Sequence, residues 1–189
     1  MRALEKTTPM KNVYLDSAAT TQMRTEVISK MTEVMQVYGN PSSTHTFGRT
    51  AKSLIENARK TVANYLKVEA KEIVFTSGGT EADNLILNSA VRDLGVKRII
   101  TSKIEHHAVL HCVDQLKDCF EVEVDYVNLD EFGSVDLQHL EQLLQQNDQK
   151  TIVSLMHVNN EVGNILDIEK VGNLCHQYNA LFHSDTVQS

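Results

Sequence analysis

The sequence has 189 residues with a formal net charge of −7, and 41% of its residues are hydrophobic before the 8 glycines are counted. This composition argues against intrinsic disorder and indicates one ordinary domain or part of a larger one. The acidic balance argues against nucleic acid and anionic membrane as partners, and no apolar run approaches the roughly 20 residues of a membrane-spanning helix. Because the polar start lacks a secretory pattern and the 3 cysteines form no Cys-x-x-Cys pair, we expect reduced thiols and a cytoplasmic protein.

The first part of the chain predicts two amphipathic helices separated by a turn. Val13–Leu15 is a short apolar run, and a loop of small residues follows it. Apolar residues then share one helical face over Val27–Tyr38, and Gly39–Ser43 ends this helix because glycine suits a helix end and proline resists continuation. A second, strongly periodic helix is predicted over 51–66.

From residue 73 onward, patterns typical of buried strands and of helices alternate about four times. The predicted strands are Ile73–Phe75, Arg98–Thr101, Val122–Val127, Thr151–His157 and Ala180–Phe182, and the predicted helices lie within 85–91, 108–120, 137–144 and 168–178. This alternation predicts an α/β fold with a largely parallel sheet and helices on both faces. In such sheets, ligands bind beyond the carboxyl ends of the strands.

The segment 73–84 has the pattern of a strand, a glycine turn and a helix start. Gly78 and Gly79 let the backbone approach an anion closely, and the free N–H groups of a helix start favour phosphate. Thr80 is placed to cap the helix or to bind a phosphate oxygen. The segment is neither a P-loop nor a dinucleotide fingerprint. A plain capped helix after a turn explains it equally well on its own.

Histidines cluster at the start of the next predicted helix. His107 and His111 are four residues apart on one helical face, which is the spacing of a metal pair, but no nearby carboxylate or cysteine completes a set, and we predict no metal site. His106 stands at a strand-to-helix junction, where ligands bind, and is the better functional candidate. The alternative for His106 is a surface or capping histidine.

Polar residues also follow the last two predicted strands. Asn159, Asn160 and Glu161 suit hydrogen-bonded recognition of a small polar ligand, although an Asn-rich turn explains them equally well. Asp185 follows the final strand directly. A carboxylate at the buried end of a sheet needs a cationic or hydrogen-bonding partner, and the alternative is a cap for the next element.

Six segments in this order resemble motifs of one enzyme family. They are Tyr14–Thr21, Gly39–Ser43, Thr76–Glu81, Glu105–His106, His157–Glu161 and Asp185–Ser189. Their order and spacing resemble the cysteine desulfurases, within the class V aminotransferase group of pyridoxal-phosphate (PLP) enzymes of fold type I. The resemblance implies that residues 1–20 form an N-terminal arm contributed to a small domain. It also implies that residues 21–189 form part of the large PLP-binding domain.

The resemblance implies roles for three residues around the cofactor phosphate and the face of its ring. Gly79 and Thr80 would bind the phosphate at the helix start. His106 would lie over the pyridine ring and assist proton transfer near the substrate.

Three further residues are implied at the edge of the ring. Asn160 and Gln188 would hydrogen-bond around the phenolic oxygen, and Asp185 would pair with the protonated pyridine nitrogen. A carboxylate keeps that nitrogen charged, which makes the ring a better electron sink.

The family reaction removes sulfur from L-cysteine and leaves alanine and a persulfide on an enzyme cysteine. The implied partners are L-cysteine, a sulfur-acceptor protein for iron–sulfur clusters or thiolation and, for a complete chain, a second copy in a homodimer. Two alternatives stay open. One is another class V enzyme such as a selenocysteine lyase, and the other is a non-catalytic fragment or one half of a split protein.

Several residues of the family pattern have no counterpart in this sequence. The family's Schiff-base lysine, persulfide cysteine and substrate-binding arginine all follow the motif that ends at Ser189. Lys103 belongs to a different segment, and Cys112, Cys119 and Cys175 match no persulfide position. We therefore expect this chain to be the N-terminal portion of such an enzyme and to have no desulfurase activity alone.

Overall fold

The computed structural model describes residues 12–146 and 148–189, which divide into two compact units. The first unit ends at Val74, and the second is Phe75–Ser189. Residues 1–11 of the predicted N-terminal arm lie outside the described residues, and the predicted division at residue 20 stays a prediction. None of the helices in the described ranges combines the length and apolar character needed to cross a membrane.

Over its described residues 12–74, the first unit contains two helices and a short 3-10 turn. Helix α1 is Thr25–Val34, helix α2 is Thr46–Leu66, and the 3-10 turn is Ala70–Glu72. The prediction that α1 continues to Tyr38 is wrong. The N–H of Val37 bonds to the carbonyl of Val34 three residues earlier, so the chain tightens into a turn before the glycine is reached.

Ile73–Phe75 was predicted to be a strand, and this prediction is also wrong. The backbone of Ile73 is extended, but no strand among the described residues pairs with the segment, and Val74 is 65% exposed. A short apolar run becomes a strand only where a neighbouring strand supplies the ladder of hydrogen bonds.

The second unit is a four-stranded parallel sheet with helices on both faces. Its strands are β1 (Arg98–Thr101), β2 (Glu123–Tyr126), β3 (Thr151–Ser154) and β4 (Leu181–His183). Its helices are α3 (Gly79–Arg92), α4 (His107–Phe120), α5 (Leu137–Gln145) and α6 (Ile168–Gln177). The strand order is β2-β1-β3-β4, and every neighbouring pair is parallel. The predicted fold class is confirmed.

Alternation along the strands divides the core into two layers. Ile99 and Ile152 pack among residues of α3 and α4, whereas Ile100 and Val153 pack among residues of α5 and α6. Each face of the sheet is therefore covered by its own pair of helices.

The strand order also fixes where a ligand site is expected. The chain crosses from β2, on one side of β1, to β3 on the other side, so the carboxyl ends of β1 and β3 flank a switch point. Strand β3 ends three residues earlier than predicted. Pairing nevertheless continues, because His183 accepts a hydrogen bond from the N–H of Leu155 and Asp185 accepts one from the N–H of His157.

A partly buried ion pair lies at the opposite, amino end of β1. Arg98 is fully buried, its Nε donates to the Asp125 carboxylate at 2.6 Å, and its guanidinium also donates to the carbonyl of Leu143 at 2.7 Å. These bonds satisfy the buried guanidinium and tie α5 to the sheet.

Candidate functional site

A turn stabilised by hydrogen bonds to Glu81 leads into the start of α3. Ser77 donates from both its backbone N–H and its hydroxyl to Oε2 of Glu81, at 2.6 Å each, and these bonds lower the pKa of Glu81. The Glu81 carboxylate thereby stabilises the turn that precedes α3. Gly79 and Thr80 occupy the first turn, where backbone N–H groups have no intrahelical acceptor, and the Thr80 side chain is exposed.

Gly79 lies against the segment that leaves β4. A Cβ added to Gly79 would lie 2.6 Å from Cγ2 of Val187, so a side chain there requires Val187 to move. The structure therefore brings the predicted phosphate-binding turn and the segment containing Asp185 into contact.

His106 is the N-cap residue of α4, as its capping alternative required. Its Nδ1 accepts the N–H of Ala108 at 3.1 Å, which leaves Nε2 as the ring nitrogen available to a ligand. The ring is exposed and lines a groove of about 300 Å³ between α3 and α4, together with Thr80 and Asn84. His106 and Thr80 are thus brought together at one opening.

The two asparagines after β3 have different environments. Asn159 is buried and organises the turn, since its Oδ1 accepts the N–H groups of Glu161 and Val162 and its Nδ2 donates to the carbonyl of Ile104 at 2.7 Å. Asn160 is half-buried, and its amide donates to the Glu161 carboxylate at 2.8 Å. Asn159 therefore stabilises the turn. The Asn160 amide bonds to the exposed Glu161 carboxylate, which a ligand can replace as its partner.

Asp185 lies at the buried end of β4. It is 8% exposed, its Oδ1 accepts the N–H of Val187 at 2.9 Å, and its backbone carbonyl accepts the N–H of His157 at 2.9 Å. The side-chain bond closes a short turn over residues 185–187, and the half-buried Gln188 follows this turn. One amide bond leaves acceptor capacity on the carboxylate for a cationic group.

Glu105 is a site residue to which the sequence assigned no role. It is 6% exposed, and its two oxygens accept bonds from the Ser102 hydroxyl at 2.7 Å and the Met156 N–H at 2.9 Å. Burial raises the pKa of Glu105 to about 7, and the neighbouring Asp185 charge acts in the same direction, against the two hydrogen bonds. The sequence feature that could have identified Glu105 as a site residue is its position directly before His106.

A second group missed by the sequence lies beneath the site. The Nε2 atom of His183 is 3.4 Å from Oδ1 of the buried Asp83, and its Nδ1 is 2.9 Å from the hydroxyl of Ser154. Asp83 lies one turn before the buried Leu87 of α3. The sequence feature that could have identified Asp83 is its place on the apolar face of α3, four residues before Leu87.

The remaining candidates do not assemble into a site. The His107 and His111 rings stack with centroids 5.3 Å apart, but no group of three or more His, Cys, Asp or Glu within 12–146 and 148–189 is arranged to hold a metal ion. Burial raises the pKa of the Cys112 thiol, and it raises that of Cys175 to about 11, which opposes thiolate formation at both. Cys119 is exposed.

Comparisons with known proteins identify the family of this chain. The family description Aminotransferase class-V matches residues 13–189. The cysteine desulfurase IscS of Pseudomonas entomophila (strain L48) is 45% identical over 184 residues, which are 94% of this chain and 45% of that protein.

Two solved structures have the same fold. A NifS-like protein superposes with a TM-score of 0.87 at 38% identity, covering 95% of this chain and 50% of its own. A structure described as SspA in complex with cysteine superposes with a TM-score of 0.82 at 31% identity, covering 93% and 51%. The chain spans about half the length of the curated relatives that it matches.

Proposed function

The chain belongs to the class V aminotransferase family, and on that premise we propose that the polypeptide carrying it is a PLP-dependent cysteine desulfurase. One observation carries the proposal. His106 and Asp185 lie beyond the carboxyl ends of the parallel strands β1 and β4, and the start of α3 lies against Val187 in the segment that follows β4. This is where an α/β sheet binds its ligand.

The start of α3 fits a phosphate group. The N–H groups of Gly79 and Thr80 lack intrahelical acceptors, and the helix dipole favours an anion there. A Cβ added to Gly78 would meet nothing within 4 Å, so space lies beside the turn. We expect these N–H groups and the Thr80 hydroxyl to hold the PLP phosphate.

Asp185 fits the opposite end of the ring. When bound, PLP withdraws electrons from the substrate α-carbon, and a protonated ring nitrogen strengthens this withdrawal. We expect the buried Asp185 carboxylate to accept a hydrogen bond from that nitrogen and to hold its proton in place. A bond to a charged partner in such a place contributes about 1.5–3 kcal/mol.

The remaining residues position the ring and move protons. We expect His106 to lie over the ring and to exchange a proton with the substrate through Nε2, since Nδ1 is occupied by the N–H of Ala108. Asn160 would exchange its contact with Glu161 for the phenolic oxygen, and Gln188 would approach the same oxygen.

The proposed substrate is L-cysteine. Its C–S bond breaks, an S–S bond forms to an enzyme thiol, and the β-carbon gains a proton to give L-alanine. SspA, a solved relative, is described in complex with cysteine, which supports this choice. The persulfide sulfur would pass to an acceptor protein for iron–sulfur clusters or thiolation, and we expect a cytoplasmic homodimer.

The test compares wild type with Asp185→Asn in the native polypeptide that carries this sequence. Asn keeps the acceptor for the Val187 N–H and removes the charge, so we expect unchanged far-UV circular dichroism and at least about tenfold slower alanine formation, from the 1.5–3 kcal/mol of a charged hydrogen bond. Equal rates for the two proteins would remove Asp185 from the site. Turnover of L-selenocysteine with none of L-cysteine would identify the lyase alternative instead.

A further inference from the structure

Asp83 is a carboxylate buried on the side of α3 that faces the sheet. It is 4% exposed, and its Oδ2 atom has no hydrogen-bond partner among the described residues. The only ion-pair distance found for it in those ranges joins Oδ1 to Nε2 of His183, at 3.4 Å. Burial of a carboxylate with so few partners costs stability, so this contact requires an explanation in terms of position.

His183 is held from its other side as well. Its Nδ1 lies 2.9 Å from the hydroxyl of Ser154, which is fully buried on β3. The imidazole therefore bridges α3 and β3 and cannot rotate without losing both contacts. The order serine, histidine, carboxylate is that of a hydrolase triad, but no substrate reaches a buried Ser154, so nucleophilic catalysis is not its role.

The pair forms one of two contacts that bracket Asp185. His183 precedes Asp185 by two residues and contacts Asp83, and Val187 follows Asp185 by two residues and lies against Gly79. Gly79 and Asp83 are four residues apart on α3, so they lie on the same helical face. The segment that carries Asp185 is therefore attached to one helix on both sides of this carboxylate.

The opposite edge of the same segment is attached to β3. The carbonyl of His183 accepts the N–H of Leu155 at 3.1 Å, and the carbonyl of Asp185 accepts the N–H of His157 at 2.9 Å. Any displacement of His183 is thus transmitted along the backbone to Asp185.

We propose that the Asp83–His183 pair is a positioning device that holds the Asp185 carboxylate where it meets a ring nitrogen and keeps that nitrogen protonated. The inference rests on the proposed function, because Asp185 has a ring nitrogen to meet only when PLP binds. Helix α3 then has two tasks. Its first turn binds the phosphate, and its second turn, through Asp83, positions the Asp185 carboxylate that meets the ring nitrogen.

The test measures protonation of the ring nitrogen directly. PLP labelled with ¹⁵N in its ring is bound to the native polypeptide, and the ¹⁵N chemical shift is recorded for wild type, Asp83→Asn, His183→Gln and Asp185→Ala. Asn at 83 keeps the shape and replaces the carboxylate by an amide, and Gln at 183 keeps a hydrogen-bond donor and removes the imidazole. Asp125→Asn is the matched control, because it makes the same chemical change in the Arg98–Asp125 pair at the far end of β1.

We expect the resonance in Asp83→Asn and His183→Gln to move from the wild-type value toward that of Asp185→Ala, and the control to keep the wild-type value. Hydrogen exchange at the His157 amide gives a second readout without cofactor. It should be at least about tenfold faster in Asp83→Asn than in wild type or the control, because the bond to Asp185 then opens more often.

Wild-type resonances in both Asp83→Asn and His183→Gln, or unchanged exchange at His157, would overturn the inference and leave the proposed function intact. A wild-type protein that binds no PLP would overturn the proposed function and the inference with it.

Discussion

The carboxylate of Glu105 accepts a hydrogen bond from the backbone N–H of Met156 at 2.9 Å, and this bond joins the loop after β1 to the end of β3. Ser102 donates to the other oxygen from within the β1–α4 loop. Since β1 and β3 flank the switch point, Glu105 connects the loop that carries His106 to the turn that carries Asn159.

We expect Glu105→Ala to destabilise the protein more than Glu105→Gln does. Alanine leaves the buried Met156 N–H without an acceptor, which costs about 1–3 kcal/mol, whereas glutamine keeps one oxygen for Met156 and places its amide nitrogen beside the Ser102 hydroxyl. Equilibrium urea unfolding of the two variants and wild type at pH 7 measures the difference. A loss in Glu105→Ala no larger than that in Glu105→Gln would contradict this role.

The same residue predicts a pH dependence of stability. Burial raises the pKa of Glu105 from 4.5 to about 7, so between these values the folded protein holds a proton that the unfolded chain has released. Its contribution is fully present below pH 4.5 and is lost as the pH rises through 7, and it amounts to on the order of 3 kcal/mol. The free energy of unfolding of wild type should therefore fall more between pH 5 and 8 than that of Glu105→Gln. Parallel pH curves for the two proteins would contradict the raised pKa.

We expect the Thr80 hydroxyl to contribute to cofactor affinity. We expect Thr80→Val, which keeps the shape and removes the hydroxyl, to weaken PLP binding about threefold to tenfold, from the roughly 1 kcal/mol of one hydrogen bond. Thr80→Ser keeps the hydroxyl and serves as the matched control. Fluorescence titration of the apoprotein with PLP measures both. Equal affinities for Val and wild type would exclude the hydroxyl from phosphate binding.

The cysteines should differ in reactivity. Burial raises the pKa of the Cys112 and Cys175 thiols, whereas Cys119 is exposed. Brief treatment of the folded protein with iodoacetamide at pH 7.5, followed by peptide mass mapping, should label Cys119 well before the other two. Labelling of Cys112 or Cys175 at the same rate would mean that these thiols are open to solvent and to sulfur transfer.

Local patterns were sufficient to predict most elements of the parallel sheet and its covering helices. Helix α4 and strand β1 were predicted nearly to the residue, because their apolar periodicity coincides with their burial. Ile73–Phe75 has the same apolar character as β1, but strand formation depends on a neighbouring strand, which local sequence does not specify.

The location of a candidate residue was predictable where it depends on position in the chain and not where it depends on a partner distant in sequence. His106 lies in the loop between β1 and α4, and Asp185 lies two residues after β4, so their location at the carboxyl edge follows from topology. The roles of Glu105 and Asp83 depend on Met156 and His183, which are distant in sequence and are brought close only by the folded sheet.

The measurement that tests desulfurase function most directly is alanine formation from L-cysteine, made on the native polypeptide with PLP and on the 189-residue chain alone. We expect alanine and sulfide from the native polypeptide in the presence of a thiol reductant, and no alanine above a PLP-only blank from the 189-residue chain, which contains no counterpart of the family's lysine. A native polypeptide that binds PLP but forms no alanine from L-cysteine would contradict the proposed function.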